Sequence, residues 1–328
     1  MSREDRILVT GGSGFIGTNL ISSLESDGFQ ILNLDVTAPL NAWQRKYWRH
    51  GSVLDRECIA SLCEEFRPTV CVHLAAETEM LESRDIAKAF PVNTYSAGLL
   101  MDVLAGVGCE QVVMASTQFV CGPEASPPVA DSAYAPHTPY GASKVRMEES
   151  IRASSADIAW TIVRPTYVWG PWHLERFLEL VRAIQSRRYR HPSGSPVIRS
   201  YGYVGTVVNQ LAALIGNDAA AGRTLYLGDQ SVDSREFVNA LSLELTGKTV
   251  KEAPRWALRA AALMGDRTDR LPLDSFRYRN LTTDYRVPMD STFELLGSPP
   301  IRLPEAARLY GEWLADYDAA AGQTIGFA

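Results

Sequence analysis

The chain has 328 residues, of which 46% are hydrophobic and 21% charged, as in globular rather than disordered proteins. Its formal net charge of -6 offers no general attraction to nucleic acid or an anionic membrane, and no apolar run reaches the ~20 residues of a transmembrane helix. The amino terminus lacks the apolar core of a signal peptide, and five cysteines without CxxC spacing argue against a disulfide scaffold or a metal site. We therefore expect a cytoplasmic protein with a small-molecule partner and no metal, membrane or nucleic-acid partner.

Short apolar runs alternate with helical patterns through the first half of the chain. The runs are nearly continuous, as in strands covered on both faces, and the connections are short, which predicts an α/β fold with a doubly wound parallel sheet. The predicted strands are residues 6–10, 29–36, 69–76, 110–117 and 158–165, and the helices between them are residues 14–28, 55–68, 91–108 and 140–156.

The first strand is followed by a glycine-rich turn, "TGGSGFIG", at the start of the first helix. Gly11, Gly14 and Gly17 permit a tight turn and let backbone N–H groups approach a pyrophosphate at the positive end of the helix. Asp35 closes the second strand, where its carboxylate can accept hydrogen bonds from both ribose hydroxyls and repel a 2'-phosphate. This Rossmann-type arrangement predicts NAD as the cofactor, in preference to NADP.

"PYGASK" places Tyr140 and Lys144 four residues apart on one face of a predicted helix. A phenol with an unperturbed pKa near ~10 is a poor base, but a neighbouring ammonium and a cationic nicotinamide would lower that pKa. Such a tyrosine can take the proton of a hydroxyl as hydride leaves the adjacent carbon. A surface tyrosine and lysine are the alternative if the pair stood alone.

The strand–helix rhythm changes after the fifth predicted strand. We predict an NAD-binding domain at residues 1–168, with a return segment near 202–226. The rest, residues 169–201 and 227–328, is expected to form a smaller mixed α/β lobe at the carboxyl-terminal end that binds substrate.

"TGGSGFIG", "HLAA", Asn93, "ASTQFVCG", "YGASK" and "VRPTYVWGP" occur in an order that resembles the extended short-chain dehydrogenase/reductase family. More narrowly, they are similar to its NAD-dependent epimerase/dehydratase branch, and the likeness spans nearly the whole chain. The resemblance implies a homodimer joined through the tyrosine-bearing helix and its neighbour.

The same resemblance assigns the hydroxyl that acts beside Tyr140. The catalytic serine or threonine of the family stands five residues before a glycine that is Gly122 here, which implies Thr117. Gln118 and Phe119 follow it, where related sugar-nucleotide 4,6-dehydratases have an Asp–Glu pair. Neither side chain can trade protons near neutral pH, so we expect hydride exchange without elimination.

The resemblance also implies two sets of contacts. The catalytic residues are Thr117, Tyr140 and Lys144. The expected cofactor contacts are Gly11, Gly14, Phe15, Ile16, Gly17, Asp35, Ser52, Val53, Leu74, Ala75, Ala76, Asn93, Ser116, Tyr140, Lys144, Arg164 and Pro165, and the expected substrate contacts are Thr117, Gln118, Tyr140, Tyr167, Trp169 and Arg199.

Three of these positions carry alternatives. Arg199 is expected to meet a diphosphate, but Tyr167 and Gly205 replace an Asn and an Asp that are usual in the family. Trp169 could stack on a sugar or base, or pack between lobes, and Asn93 could satisfy only local backbone.

The expected activity is that of an NAD-dependent nucleotide-sugar epimerase acting at C4 through a transient keto sugar. One alternative is a reductase or dehydrogenase of the same family that acts on a keto sugar or another carbonyl. A dinucleotide-sensing protein without turnover is the third possibility, although it would need no proton relay.

Overall fold

The computed structural model describes residues 5–78, 85–125, 128, 131–268 and 273–325. Its helices are α1 (Phe15–Ser26), α2 (Arg56–Phe66), α3 (Ile86–Ala89), α4 (Pro91–Gly106), α5 (Pro139–Ala153), α6 (Arg176–Gln185), α7 (Val204–Leu214), α8 (Ser234–Thr246), α9 (Arg255–Gly265), α10 (Ser275–Thr282), α11 (Asp290–Leu296) and α12 (Leu303–Ile325). Its strands are β1 (Arg6–Thr10), β2 (Gln30–Asp35), β3 (Trp48–His50), β4 (Val70–His73), β5 (Gln111–Ala115), β6 (Ala159–Pro165), β7 (Tyr167–Trp169), β8 (Arg190–Pro192), β9 (Ile198–Arg199), β10 (Tyr201–Tyr203), β11 (Thr224–Leu227), β12 (Val232–Asp233) and β13 (Lys251–Ala253).

Seven strands form one sheet in the order β11-β6-β5-β4-β1-β2-β3, and all neighbouring pairs run parallel. The chain winds from β1 to β2 and β3 in one direction, then crosses to β4 and continues in the other. The predicted doubly wound sheet is confirmed. Its winding reverses between β1 and β4, and ligands of such sheets bind outside the carboxyl ends of the strands at this point.

Helices cover both faces of the sheet, which explains the nearly continuous apolar runs. Ile7 and Val9 of β1 pack in one core with α1, α6, α7 and α8. Leu8 points to the opposite face and packs in a second core with α2, α4 and α5. Because successive side chains of a strand alternate between faces, both sets of residues must be apolar.

The remaining strands form three two-stranded sheets beside the main one. β8 pairs with β13 and β9 pairs with β12, so these sheets join residues 169–201 to residues 227–328. β11 lies between the two segments in the chain but pairs with β6 in the main sheet. The chain thus returns to the sheet once, whereas the exact domain boundaries stay a prediction.

The sequence pattern missed β3. This strand has three residues, Trp48 to His50, and lies at the edge of the sheet, where its side chains are half-buried or exposed. An edge strand buries little surface and therefore needs no apolar run.

His73 ends β4 as a buried link between elements. Its Nδ1 lies 2.6 Å from Oγ1 of Thr10 in β1, and its Nε2 lies 2.9 Å from Oγ of Ser96 in α4. Burial, with a smaller effect of the Lys144 charge, lowers the pKa of His73 to about 3. The folded protein therefore holds this imidazole neutral.

We expect His73 to make folding acid-sensitive. Its folded-state pKa lies below the unfolded value of 6.5, so its contribution is complete above pH 6.5 and is lost as the pH falls toward 3. Each pH unit in this window costs about 1.4 kcal/mol of unfolding free energy. His73→Asn should flatten the pH dependence of urea unfolding by that slope, with His50→Asn in exposed β3 as the control. An equal slope in wild type and His73→Asn would contradict the assignment.

Candidate active site

A sharp turn at Gly11 brings the end of β1 close to the end of β4. The φ angle of Gly11 is +71°, and a Cβ there would lie 2.5 Å from the backbone nitrogen of Ala75. Gly14 is the exposed N-cap of α1, and within the described residues no side chain caps this helix and no acid occupies its first turn. The backbone N–H groups at the positive helix end fit a pyrophosphate.

Asp35 lies beside this turn at the end of β2. Its Oδ2 accepts a hydrogen bond from the backbone N–H of Ser13 at 3.0 Å, and its Oδ1 accepts from the backbone N–H of Thr37 at 2.9 Å. The hydroxyl of Thr37 also donates to Oδ1, at 3.0 Å. A carboxylate has about four acceptor positions, so one remains for a ribose hydroxyl. The other predicted cofactor contacts follow neighbouring elements: Phe15, Ile16 and Gly17 in the first turn of α1, Ser52 and Val53 after β3, and Leu74, Ala75 and Ala76 after β4.

Thr117 and Tyr140 meet at the carboxyl end of β5. The Thr117 side chain hydrogen-bonds the phenol and lowers its pKa, but burial is the larger effect and raises the pKa of Tyr140 to about 12. The approach depends on Gly141, because a Cβ there would lie 2.3 Å from the carbonyl oxygen of Phe119. The hydroxyl groups of Thr117 and Tyr140 therefore lie together in a buried site. Because the pKa of Tyr140 is about 12, its phenol is protonated at neutral pH.

Lys144 lies one turn further along α5, with its side chain 1% exposed. Its ammonium donates to the carbonyl oxygen of Ala115 at 2.8 Å. Burial lowers the pKa of Lys144 to about 8, although the carboxylate of Glu148 acts in the opposite direction. At pH 7 the group is still mostly a cation, behind the strand end that carries Thr117.

A buried ion pair fixes this strand end, and the sequence pattern did not reveal it. Glu148 accepts hydrogen bonds from Nε and Nη2 of Arg164 at 2.9 and 2.7 Å, and from Oγ of Ser116 at 2.5 Å. Tyr134 also donates to Glu148, and Nη2 of Arg164 donates to the carbonyl oxygen of Asp131. The side chains predicted to contact cofactor at positions 116 and 164 are therefore bound to Glu148. Pro165, also predicted there, ends β6 beside this pair.

Asn93 joins the end of β4 to the active-site helix. It exchanges two hydrogen bonds with the backbone of Glu77, and its Nδ2 donates to Oγ of Ser143 in α5 at 2.9 Å. The contact with α5 shows that Asn93 does more than satisfy local backbone.

Tyr285, near the carboxyl-terminal end of the chain, hydrogen-bonds the turn that follows Thr117. Its hydroxyl lies 2.8 Å from the carbonyl oxygen of Gln118 and 2.6 Å from that of Cys121. The turn at residues 118–120 is a short 3-10 helix that begins after Thr117. Sequence reasoning missed this residue because it stands 167 positions away from Gln118.

Arg199 and Tyr167 lie on the substrate side. Nη1 of Arg199 donates to the carbonyl oxygens of Asn280 and Thr283 at 2.7 and 3.1 Å, and its guanidinium lies over the ring of Tyr285. Tyr167 lies in the electrostatic field of three cations, and its pKa is raised by burial, which their charges oppose. These cations are Arg199, Arg176 and Arg277.

Trp169, which is expected to contact substrate or to pack between lobes, lies in an aromatic cluster. Its side chain is 1% exposed, and its ring centroid lies 5.2 Å from that of Tyr203 and 5.3 Å from that of Phe237. The packing alternative is the one that the structure shows. Nearby, Asp229 accepts a hydrogen bond from the backbone N–H of Tyr203 at 2.6 Å.

Gln118 and Phe119 occupy different surroundings. Gln118 is 2% exposed, and its Oε1 has no hydrogen-bond partner among the described residues. Phe119 lies between rings, 5.5 Å from His137 and 6.3 Å from Tyr140 between centroids. Burial and the charge of Arg279 lower the pKa of His137. His137 is a further titratable group beside the site. No motif in the sequence indicated that it would lie there.

Known proteins are similar to this chain in sequence and in fold. The UDP-glucose 4-epimerase of Vibrio cholerae is 27% identical over 315 residues, which cover 91% of this chain and 92% of that protein. The N-acetyl-alpha-D-glucosaminyl-diphospho-ditrans,octacis-undecaprenol 4-epimerase of Escherichia coli O157:H7 is 25% identical over 259 residues, 76% of this chain and 74% of that protein. The crystal structure of UDP-glucose 4-epimerase from Thermotoga maritima with UDP-glucose has a TM-score of 0.75 at 20% identity, covering 95% of this chain and 99% of that one.

Residues 7–228 match the NAD dependent epimerase/dehydratase family, and the chain belongs to this family. It is therefore an enzyme of the isomerase or oxidoreductase type, and NAD is its cofactor. The predicted family, Rossmann-type fold and cofactor are confirmed. The residues present fit NAD because an uncapped helix start, a glycine turn and the Asp35 carboxylate lie together.

We expect Glu148→Gln to destabilise the protein by about 3–5 kcal/mol, because it leaves the Arg164 charge buried without a counter-charge. Urea unfolding measures the change. Glu149→Gln is the matched control, since Glu149 is the exposed neighbour on the same helix. Similar losses in the two variants would show that the buried pair has no special role.

Proposed function

We propose that this enzyme is a nucleotide-sugar epimerase that inverts C4. The observation that carries the proposal is the meeting of the Thr117 and Tyr140 hydroxyls, with the Lys144 ammonium behind them. A pair of hydroxyl groups can handle the proton of one sugar hydroxyl, but it offers no acid for removal of water. Gln118 and Phe119, in the positions of the dehydratase acids, support the same conclusion.

Tyr140 carries out the proton transfer of the reaction. Bound NAD supplies the acceptor and donor of hydride and, when oxidised, a positive charge. The protein, Lys144 included, holds the pKa of Tyr140 at about 12, so the phenol needs the positive charge of oxidised NAD to release its proton. The phenolate then takes the proton of the C4 hydroxyl, while Thr117 hydrogen-bonds the same oxygen. Tyr140 returns the proton when the keto group is reduced.

Inversion requires the keto ring to turn over between the two transfers. Arg199 and Arg279, whose charges both act on His137 beside the site, supply positive charge that suits a diphosphate. Phe119 and Tyr167 offer the sugar mainly ring surfaces, which impose few directional hydrogen bonds. Strong contact to the diphosphate and weak contact to the ring would let the sugar rotate without leaving.

The diphosphate can be attached to a nucleoside or to a lipid. The Vibrio relative is named for a UDP-sugar, and the Escherichia coli relative for a sugar linked through a diphosphate to undecaprenol. Both share the sugar diphosphate that the arginines would recognise. We propose the nucleotide form as the substrate and a homodimer as the assembled state.

A panel of UDP-, GDP-, dTDP- and CDP-sugars, assayed without added NAD, tests the reaction type. An epimerase converts one of them to its C4 epimer without net consumption of cofactor. Product that forms only when reduced NAD is added and consumed would instead identify a reductase. A lipid-linked sugar diphosphate in parallel assays separates the two carriers.

We expect Tyr140→Phe to lower kcat about one hundred- to ten-thousandfold, because the proton acceptor is lost. The amount of bound NAD should stay the same, as measured by release of the cofactor on denaturation. Tyr95→Phe, at an exposed tyrosine of α4, is the control. Full activity in Tyr140→Phe would overturn the proposed mechanism.

A further inference from the structure

An apolar side-chain group is exposed on the helix pair α9 and α10. Trp256 is 75% exposed, Leu263 54% and Met264 55%, and all three lie on α9. Their spacing of seven and eight residues puts them on one side of the helix, opposite the buried Leu258 and Ala262. Phe276 of α10 is also 44% exposed. We call Trp256, Leu263, Met264 and Phe276 the α9–α10 patch.

The two helices are held together as one unit. Asp266, at the end of α9, accepts hydrogen bonds from the backbone N–H of Ser275 at 2.8 Å and from its hydroxyl. The unit also borders the candidate active site, since Asn280 of α10 accepts a hydrogen bond from Arg199.

Basic side chains surround the patch. The described residues between 251 and 282 contain six basic and three acidic side chains, a charge of +3, whereas the whole chain carries -6. Arg259 is exposed and projects on the same side of α9 as Trp256, and Arg267 is exposed in the turn just after α9. Arg255 donates to the carbonyl oxygens of Ser193 and Ser195. Because these acceptors are neutral, they do not cancel the positive charge of Arg255.

Two acids partly offset this excess. Glu179 of α6 lies 3.5 Å from Arg277, and Asp274 lies 3.7 Å from it. Arg259 forms no ion pair among the described residues, and Arg267 has the charge of Asp266 beside it. The six basic side chains of this segment still outnumber its three acidic ones. A second copy of the chain docked patch to patch would place two positive surfaces together, which disfavours a homodimer here.

We propose that the α9–α10 patch docks the enzyme on the surface of an anionic lipid bilayer. A helix with Trp, Leu and Met on one side and arginines among them suits the boundary between headgroups and acyl chains. No helix in the described ranges could cross a membrane, so the contact is peripheral. The negative net charge of the whole chain does not reveal this locally basic surface. The proposal does not depend on which sugar the enzyme converts.

Flotation of the full-length protein with lipid vesicles tests the proposal. We expect binding to phosphatidylcholine vesicles that contain phosphatidylglycerol, weaker binding as salt rises, and little binding to phosphatidylcholine alone. Neutralising Arg259 and Arg267 to Gln should weaken binding about fivefold for each residue. Trp256→Ser and Leu263→Ser should abolish most of the rest, without loss of helical circular dichroism.

Trp43→Ser and Leu243→Ser are the matched controls, since both side chains are exposed away from α9 and α10. They should bind vesicles like the wild type. The absence of vesicle binding, or equal losses in patch and control variants, would overturn the proposal. So would an oligomer, seen by analytical ultracentrifugation, that patch variants dissociate, because the patch would then be a protein interface. Epimerase activity is measured separately on each variant, so failure of docking and failure of the proposed function remain distinguishable.

Discussion

The ion pair between Glu148 and Arg164 is the contact on which the rest of the active site depends. It joins α5 to the end of β6, and through the Ser116 hydroxyl it also reaches the end of β5. Thr117 follows Ser116 directly, and Lys144 precedes Glu148 by one helical turn. A buried pair adds little net stability compared with an apolar replacement. The pair instead fixes the relative positions of β5, β6 and α5, because separating these elements would leave a buried charge without its counter-charge.

Local sequence patterns predicted the parts of the site that lie within one element. The glycine turn, Asp35 at a strand end, and Tyr140 with Lys144 depend on spacing of a few residues, and the strand–helix rhythm predicted most of the sheet. Contacts between distant segments had no such signal. Tyr285 reaches the catalytic turn from 167 residues away, and the partner of Arg164 could not be read from a pattern. The packing of Trp169 could not be predicted either, because an aromatic side chain beside a site has the same sequence signature as one inside the core.

The net charge of the whole chain also differs from the local charge of parts of its surface. A net charge of -6 argues against attraction to anionic surfaces when it is spread evenly. The fold gathers arginines on α9 and α10 and near Tyr167, so basic side chains are locally in excess there. The arginines facing the site would hold a diphosphate, and those facing outward would meet lipid headgroups. The expected diphosphate contact and the proposed lipid contact both follow from where the chain folds its cations and not from how many it has.

The central claim is that Thr117 and Tyr140 handle one hydroxyl proton while the hydrogen on C4 leaves and returns as hydride. The direct measurement uses the sugar nucleotide that the enzyme converts, labelled with deuterium at C4, with the product followed by mass spectrometry and NMR. The account predicts that the inverted product keeps the label at C4. It also predicts that, in deuterated water, no solvent hydrogen enters C5. Loss of the C4 label to solvent, or deuterium at C5, would contradict it.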